Sequence, residues 1–181
     1  LKFFYGNIIG IVGENGIGKS TLAKIICGLY KENKGKILRD NENLNIKSRL
    51  NESLLIMQEV NYQLFTDSVK DEIVLTSNIK DDYVLDNWLK DMELKNISDR
   101  NPHTLSGGQK QRVIILSALL SDKKILFFDE PTSGLDYRNM KIVAKNIKKI
   151  KEEDKLILII SHDVEFLESV CDTVINLCDV N

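Results

Sequence analysis

One stretch near the start of the chain decides the fold: Gly13-Glu14-Asn15-Gly16-Ile17-Gly18-Lys19-Ser20, followed by Thr21. It is a complete G-x-x-x-x-G-K-[ST] phosphate-binding loop. The apolar residues 8–12 in front of it predict a buried strand. Behind it, apolar side chains recur at the i, i+3, i+4 and i+7 positions of a helix, namely Leu22, Ile25, Ile26 and Leu29. A chance glycine-rich turn would lack this strand and helix, so the stretch predicts a phosphate site.

The residue types of this loop suit that chemistry. Glycine lets backbone N–H groups turn inward and approach phosphate oxygens closely. The start of the following helix adds favourable partial positive charge. We expect Lys19 to reach the β- and γ-phosphates of a nucleotide and Ser20 to ligate Mg²⁺.

Composition limits the other possibilities. The chain has 181 residues, of which 43% are hydrophobic, and this is enough for one large core. Its formal charge is −2 and its pI is about 5.8, so no basic surface indicates a nucleic-acid partner. The longest unbroken apolar run, residues 156–160, is far too short to span a bilayer.

The three cysteines, Cys27, Cys171 and Cys178, show no metal-ligand spacing. Cys171 and Cys178 could lie close together in space. We expect instead the buried, reduced thiols of a cytosolic chain.

Strand patterns alternate with helical patterns, which predicts an α/β fold with a mainly parallel sheet flanked by helices. Strands are predicted at residues 8–12, 54–57, 125–128, 156–160 and 173–177. A short antiparallel excursion is expected at 37–46, where a turn-rich segment separates two apolar ones. Residues 58–120 are predicted to form a helical subdomain inserted into one domain that covers 1–181. Its helical stripe, with Trp88 as core, consists of Val84, Leu85, Trp88, Leu89 and Met92.

A pair of carboxylates follows one of the apolar runs, in Phe127-Phe128-Asp129-Glu130. An acidic residue that ends a buried strand can hold Mg²⁺ through water, and a second one beside it can orient or deprotonate an attacking water. Adjacent carboxylates are common on surfaces. Their place after four apolar residues favours the functional interpretation.

A second phosphate-binding feature lies in Leu105-Ser106-Gly107-Gly108-Gln109. A serine at a helix N-cap followed by two glycines makes an anion-binding nest. One nucleotide does not need two such nests from one chain. Two chains that face each other head to tail would use them in pairs.

With these motifs the chain resembles the ATP-binding subunits of ABC-type ATPases, from Ile8 to about Leu177, and six motifs follow the family's order. The resemblance implies the P-loop NTPase fold and an ATP hydrolase that powers membrane transport. It also implies a dimer with a second ATPase subunit or domain, identical or not. A transmembrane transporter subunit would be a further partner, at the cytoplasmic face of the membrane.

The resemblance assigns roles to individual residues. The ATP triphosphate would be wrapped by Gly13, Glu14, Asn15, Gly16, Ile17, Gly18, Lys19, Ser20 and Thr21. The γ-phosphate of ATP on the opposite subunit would be bound by the signature residues Ser106, Gly107, Gly108 and Gln109. Asp136, in Ser133-Gly134-Leu135-Asp136, would cross the dimer interface.

The metal ligands and catalytic residues follow in the same way. Mg²⁺ would be held with Ser20, Asp129 and Gln58, and Gln58 would also touch the lytic water. Glu130 matches the catalytic base, and His162 matches the histidine that contacts the γ-phosphate. A lone histidine after a core strand is more often structural, but its place at a strand's carboxyl end favours function. Ser161 and Asp163 are open to the simpler interpretation that they cap the next helix, and His103 is read as a loop residue.

A narrower resemblance lies between Gln58 and Ile73, with Gln63-Leu64-Phe65 and a Val-x-x-Glu-Ile element that starts at Val69. These elements resemble the energy-coupling-factor branch of importers, which implies uptake of a vitamin, metal ion or other small solute. The front of the chain departs from the family. It begins with Leu1 rather than Met, the early strands with the adenine-stacking aromatic are expected to be missing, and Phe4 and Tyr5 are not claimed as substitutes.

Two other functions are alternatives to a transport ATPase. One is a soluble ABC ATPase of translation, DNA repair or iron–sulfur assembly, but the sequence has no coiled-coil insertion between Gln58 and Leu105 and no basic arm. The other is a regulatory subunit without turnover, against which the intact Lys19, Glu130 and His162 argue.

Overall fold

The computed structural model describes residues 1–77, 79, 81–150 and 155–179. In this part of the chain the strands are β1 Ile8–Val12, β2 Leu38–Arg39, β3 Glu42–Asn43, β4 Ser53–Ile56, β5 Ile125–Asp129, β6 Leu156–Ile160 and β7 Thr173–Asn176. The α-helices are α1 Lys19–Ile26, α2 Ile46–Glu52, α3 Val69–Thr76, α4 Asp82–Asp91, α5 Gly107–Leu119, α6 Tyr137–Ile150 and α7 Val164–Val170. Short 3-10 helices lie at Val60–Gln63, Lys95–Ile97, Pro102–Thr104 and Leu177–Asp179.

The main sheet has five strands in the order β4-β5-β6-β1-β7. All of its neighbouring strands run parallel, so their carboxyl ends meet at one edge. The predicted antiparallel excursion is confirmed as the small β2–β3 hairpin, whose turn residues Asp40 and Asn41 have φ of 52° and 69°. The predicted α/β fold is confirmed. No helix in the described residues is long and apolar enough to cross a membrane.

Alternate residues of the central strands enter two hydrophobic clusters, one on each face of the sheet. Phe128 and Ile159 pack with residues of α5, α6 and α7, while Phe127 and Leu158 pack with Ala23 and Cys27 beside α1. Side chains in a strand point alternately to opposite faces. Both faces of these strands are therefore covered, which is why their sequences are unbroken apolar runs, as predicted.

The helix after the phosphate loop is shorter than its apolar spacing predicts. It ends at Ile26 with Cys27 as C-cap, and Gly28 then turns the chain with φ +78°. Leu29 is 51% exposed, so its assignment to the helix stripe is wrong. The left-handed glycine ends the helix before the pattern does.

The chain between β4 and β5 is helical, as predicted. Trp88 is buried, but Val84 is 39% exposed and does not belong to the buried stripe. It lies in the first turn of α4, one position before Leu85, and so points away from the core face. Because α5 shares one hydrophobic cluster with the sheet, a separate subdomain at 58–120 stays a prediction.

All three thiols are free. Burial raises the pKa of Cys27 to about 11 and that of Cys171, which is only partly buried, to about 12. Cys178 is exposed. The expectation of a buried thiol is wrong there because the residue lies in a 3-10 turn beyond the last strand.

Gly28→Ala is expected to destabilise the protein strongly. A Cβ at this position would lie 2.8 Å from the Ile46 carbonyl oxygen and 3.0 Å from Arg49 Cβ. Left-handed backbone costs a non-glycine residue about 1–2 kcal/mol, and overpacking adds about 1–3 kcal/mol. Urea unfolding measures the sum.

Gly35→Ala is the matched control. Gly35 has φ +85°, and a Cβ there would meet nothing within 4 Å. This variant should show only the backbone cost of about 1–2 kcal/mol. Equal losses in the two variants would contradict the close approach of α1 and α2.

Candidate functional site

The carboxyl edge of the parallel sheet carries a cavity of about 680 Å³. In an open α/β sheet this is the edge where ligands bind. Each of four strands delivers part of its wall: β1 leads into the phosphate loop, β4 to Gln58, β5 to Asp129-Glu130 and β6 to His162. The lining residues are Asn15, Gly16, Gly18, Lys19, Ser20, Thr21, Gln58, Asp129, Glu130, Thr132, Ser133, Ile160, His162 and Asp163.

The phosphate loop has the backbone that its glycines predict. Gly16 and Gly18 have φ of +85° and +104°, and a Cβ at either would meet nothing within 4 Å. Glycine is therefore required by conformation and not by crowding. Gly18 is the N-cap of α1 and supplies no side-chain hydrogen bond to it. The first N–H groups of α1 can thus donate to an anion.

Lys19 is the first residue of α1 and is 8% exposed. Its Nζ donates to the carbonyl oxygens of Gly13, at 2.8 Å, and Glu14, at 3.0 Å. The loop's own backbone therefore holds the ammonium group inside the loop, next to the hydroxyl-bearing residues Ser20 and Thr21.

Glu130 is held in an unusual conformation directly after β5. Its φ is 53°, which costs a non-glycine residue on the order of 1–3 kcal/mol and is typical of functional positions. Its N–H donates to the Ile160 carbonyl oxygen at 2.9 Å, so the end of β6 fixes it.

The Glu130 carboxylate faces the residues after β6. Ser161 Oγ and the His162 N–H each donate to Oε2 at 3.4 Å. Oε1 lies 3.5 Å from His162 Nε2. It is buried and has no hydrogen-bond partner among the described residues. A buried acceptor without a partner is costly, so this carboxylate oxygen lacks a hydrogen-bond donor.

Asp163 caps α7, since its Oδ1 accepts from the Phe166 N–H at 2.9 Å. Ser161 accepts from the Asp163 N–H, in line with the capping interpretation. Its hydroxyl also donates to the Glu130 carboxylate, a contact that the capping interpretation does not include. Thr132 and Ser133 also line the cavity and were not singled out as lining residues from sequence. The sequence feature that points to Ser161 as a site residue is its position between a core strand and His162.

Oxygen donors for a divalent cation lie in the same cavity: the Ser20 hydroxyl, the Gln58 amide and the Asp129 carboxylate. Among the described residues, no group of three or more His, Cys, Asp or Glu could hold a metal. The donor set fits Mg²⁺, which keeps several waters and takes one or two carboxylates plus substrate phosphates.

The signature residues and Asp136 do not line this cavity. Ser106 caps α5 in a capping box: its Oγ accepts from the Gln109 N–H, and Gln109 Oε1 accepts from the Ser106 N–H. Ser106 and Gly107 are exposed. Gly108 packs against Leu135, which lies 3.2 Å from the position of a Cβ.

Asp136 belongs to the same outer surface as the signature residues. Its two carboxylate oxygens accept from the backbone and side-chain N–H groups of Asn139, at 2.8 and 2.9 Å. Arg112 of α5 hydrogen-bonds to Asn139 in turn. Desolvation lowers the pKa of Arg112. The nest on α5 and Asp136 are therefore linked through Asn139 and lie outside the cavity, whereas Ser133, at the start of the loop 133–136, lines it.

Similarity to known proteins agrees with this geometry. The family described as ABC transporter matches residues 1–133. A putative ABC transporter ATP-binding protein of Treponema denticola is 44% identical over 95% of this chain, which spans 35% of that relative. The energy-coupling factor transporter ATP-binding protein EcfA of Aster yellows witches'-broom phytoplasma is 38% identical over 87% of this chain and 61% of its own.

Solved structures share the fold. CbiO1 of Clostridium perfringens, part of the ABC transporter complex cbiONQ, superposes with a TM-score of 0.81 at 31% identity, over 97% of this chain and 75% of its own. The RNase-L Inhibitor gives a TM-score of 0.80 at 29% identity, over 96% of this chain and 32% of its own. The chain belongs to the ABC transporter family and is an ATP-binding domain of that family.

Proposed function

We propose that this chain binds ATP with Mg²⁺ and hydrolyses it to power transport through a membrane partner. The observation that carries the proposal is the single cavity at the sheet edge, which gathers the phosphate loop, two carboxylates and a histidine from separate strands. Residues 13–21 would hold the triphosphate, with Lys19 on the β- and γ-phosphates.

Ser20, Asp129 and Gln58 would hold Mg²⁺, directly or through water. When bound, the ion neutralises charge that develops on the phosphates. Other residues of the cavity can then act on the attacking water.

Glu130 is the proposed general base. A water oxygen attacks the γ-phosphorus, its proton passes to the Glu130 carboxylate, and the bond from the γ-phosphorus to the β-phosphate oxygen breaks, which yields ADP and inorganic phosphate. His162 contacts Glu130 at 3.5 Å and is 58% exposed to the cavity side. It can donate a hydrogen bond to the γ-phosphate, while Ser161 holds the carboxylate in place.

The signature residues would act on a second subunit. Ser106, Gly107, Gly108 and Gln109 form a nest outside this chain's own cavity, with Ser106 and Gly107 exposed, and Asn139 links α5 to Asp136. In a head-to-tail pair each nest would complete the partner's site, and Asp136 would lie at the interface. The pair would consist of two copies or of this chain and a related one.

The transmembrane partner and the importing direction rest on the relatives named above, one an energy-coupling factor protein and one part of cbiONQ. Two aromatic side chains beside Gln58 support a protein partner there, since Tyr62 is 75% and Phe65 76% exposed. This arrangement would place the domain on the cytoplasmic face of the membrane. A vitamin, a metal ion or another small solute is the proposed substrate.

A second candidate is a non-transport ABC ATPase, since the RNase-L Inhibitor shares the fold and its name does not describe a transporter. Affinity purification from the native cell separates the two. The transport proposal requires a multi-spanning membrane protein in the recovered complex. Recovery with ribosomes and no such protein would favour the alternative.

Glu130→Gln is expected to keep ATP binding and to lose turnover, because the amide cannot accept the proton. Loss of a general base costs about 10²–10⁴-fold in rate. Phosphate release and ATP titration measure the two properties. Glu165→Gln is the control, an exposed carboxylate in the first turn of α7. Near-normal hydrolysis by Glu130→Gln would contradict the assignment of Glu130 as the general base.

Lys19→Ala and Ser106→Arg should both lose ATP turnover, but only Lys19→Ala should lose affinity for ATP. A charge-assisted hydrogen bond contributes about 1.5–3 kcal/mol, so Lys19→Ala should weaken ATP binding by about 10- to 100-fold. Ser106→Arg should bind ATP within about twofold of the wild type, because Ser106 lies outside the cavity. Both should lose turnover. Titration with ATP and phosphate release test this.

Lys24→Ala is the control for Lys19→Ala. Lys24 lies on the same helix, and its ammonium group lies over the ring of Tyr30, which follows the helix. Weakened ATP binding by monomeric Ser106→Arg would contradict the division into two surfaces.

A further inference from the structure

The chain after β4 forms a closed loop with Gln58 near its start, and Gln63 closes it. The Met57 N–H donates to Gln63 Oε1 at 3.0 Å, and Gln63 Nε2 donates to the Leu55 carbonyl oxygen at 3.0 Å. One side-chain amide thus makes both the bonds that a peptide group of a neighbouring strand would make. The two bonds together fix which way the Gln63 amide points.

The position of β4 in the sheet explains why its backbone groups need the hydrogen bonds of Gln63. β4 is an outermost strand of the sheet and pairs with β5. Backbone groups on the outer side of such a strand have no ladder partner. Gln63 satisfies them where the strand turns into the loop, and Val60, 7% exposed, anchors the 3-10 helix that brings Gln63 back.

A second clamp holds the far end of the same segment. Glu72 is 2% exposed, and its Oε2 accepts from the N–H groups of Phe65 and Thr66 and from the Thr66 hydroxyl, each at 2.9 Å. Residues 57–66, here called the Gln58 loop, are therefore tied down by Gln63 at the sheet and by Glu72 at α3.

Gln58 itself depends on this backbone. Its side chain is exposed on the cavity wall, and within the described part of the chain it makes no hydrogen bond to protein. Its carbonyl oxygen accepts from the Val60 N–H at 3.2 Å, inside the loop. The loop backbone thus sets the position from which the Gln58 side chain enters the cavity.

We propose that Gln63 is a positioning residue, which holds Gln58 at the cation and water side of the cavity through its bonds to Leu55 of β4 and to Met57 directly before Gln58. The inference rests on the proposed function, because Gln63 acts through Gln58. This proposal gives a role to Gln63 of the Gln-Leu-Phe element, to which no other part of the site assigns one.

Gln63→Leu removes both hydrogen bonds at similar volume, and Gln63→Glu keeps an acceptor for Met57 while losing the donor to Leu55. Each is expected to lower kcat by about tenfold or more, the usual range for residues that orient a ligand group. The Mg²⁺ concentration for half-maximal rate should rise. The KM for ATP should stay within about twofold, because the phosphate loop is untouched. Asn61→Ala, on the same loop but bonded to Lys110, is the control and should match the wild type.

A double-mutant cycle separates positioning from general damage. Gln58→Ala with Gln63→Leu should be no slower than Gln58→Ala alone, because the second change has nothing left to position. Additive losses, or wild-type kcat and Mg²⁺ dependence in both Gln63 variants with their fold intact by thermal unfolding, overturn the inference and leave the proposed function standing. A wild-type protein without ATP hydrolysis, or Gln58→Ala with unchanged Mg²⁺ dependence, overturns the proposed role of Gln58 and the inference with it.

Discussion

The parallel pairing of β5, β6 and β1 is the constraint on which the site depends. Asp129 pairs with Ile160, and Ile160 pairs with Ile11. This register places the residues after each strand side by side, so that Glu130 meets Ser161 and His162 while the phosphate loop opens next to them. A slip of one residue would turn each strand's side chains to the opposite face. The two hydrophobic clusters, which alternate along the strands, are what prevents it.

The same constraint separates two kinds of surface. Residues at the carboxyl ends of strands form one cavity, whereas the nest at the start of α5 and the loop with Asp136 face outward. Asn139, between Arg112 and Asp136, ties these outer parts together. A chain with its own phosphate loop and cavity and a second, outward nest fits the proposed pairing, in which the nest of each subunit completes the site of its partner.

Much of this could be predicted from sequence because it depends on local patterns. Long apolar runs set β5 and β6, and the residues that follow them, such as Glu130 and His162, must lie at the sheet edge. Gly28 is typical of a helix C-terminus and does end α1, so counting Leu29, beyond it, in the helix stripe is an error. Counting Val84 in the stripe of α4 is likewise an error, because it lies one position off the buried face. Individual side-chain hydrogen bonds follow no sequence period and became visible only in three dimensions, such as those of Gln63 to Leu55 and Met57 and that of Ser161 to Glu130.

The central claim is that one cavity holds the triphosphate, the cation and the base. A crystal structure of Glu130→Gln protein with Mg²⁺ and ATP tests it most directly. The account predicts the triphosphate in the loop 13–21, Mg²⁺ beside Ser20 and Asp129, and a water between residue 130 and the γ-phosphate. A triphosphate bound away from Lys19, or a γ-phosphate that points away from residue 130, would contradict it.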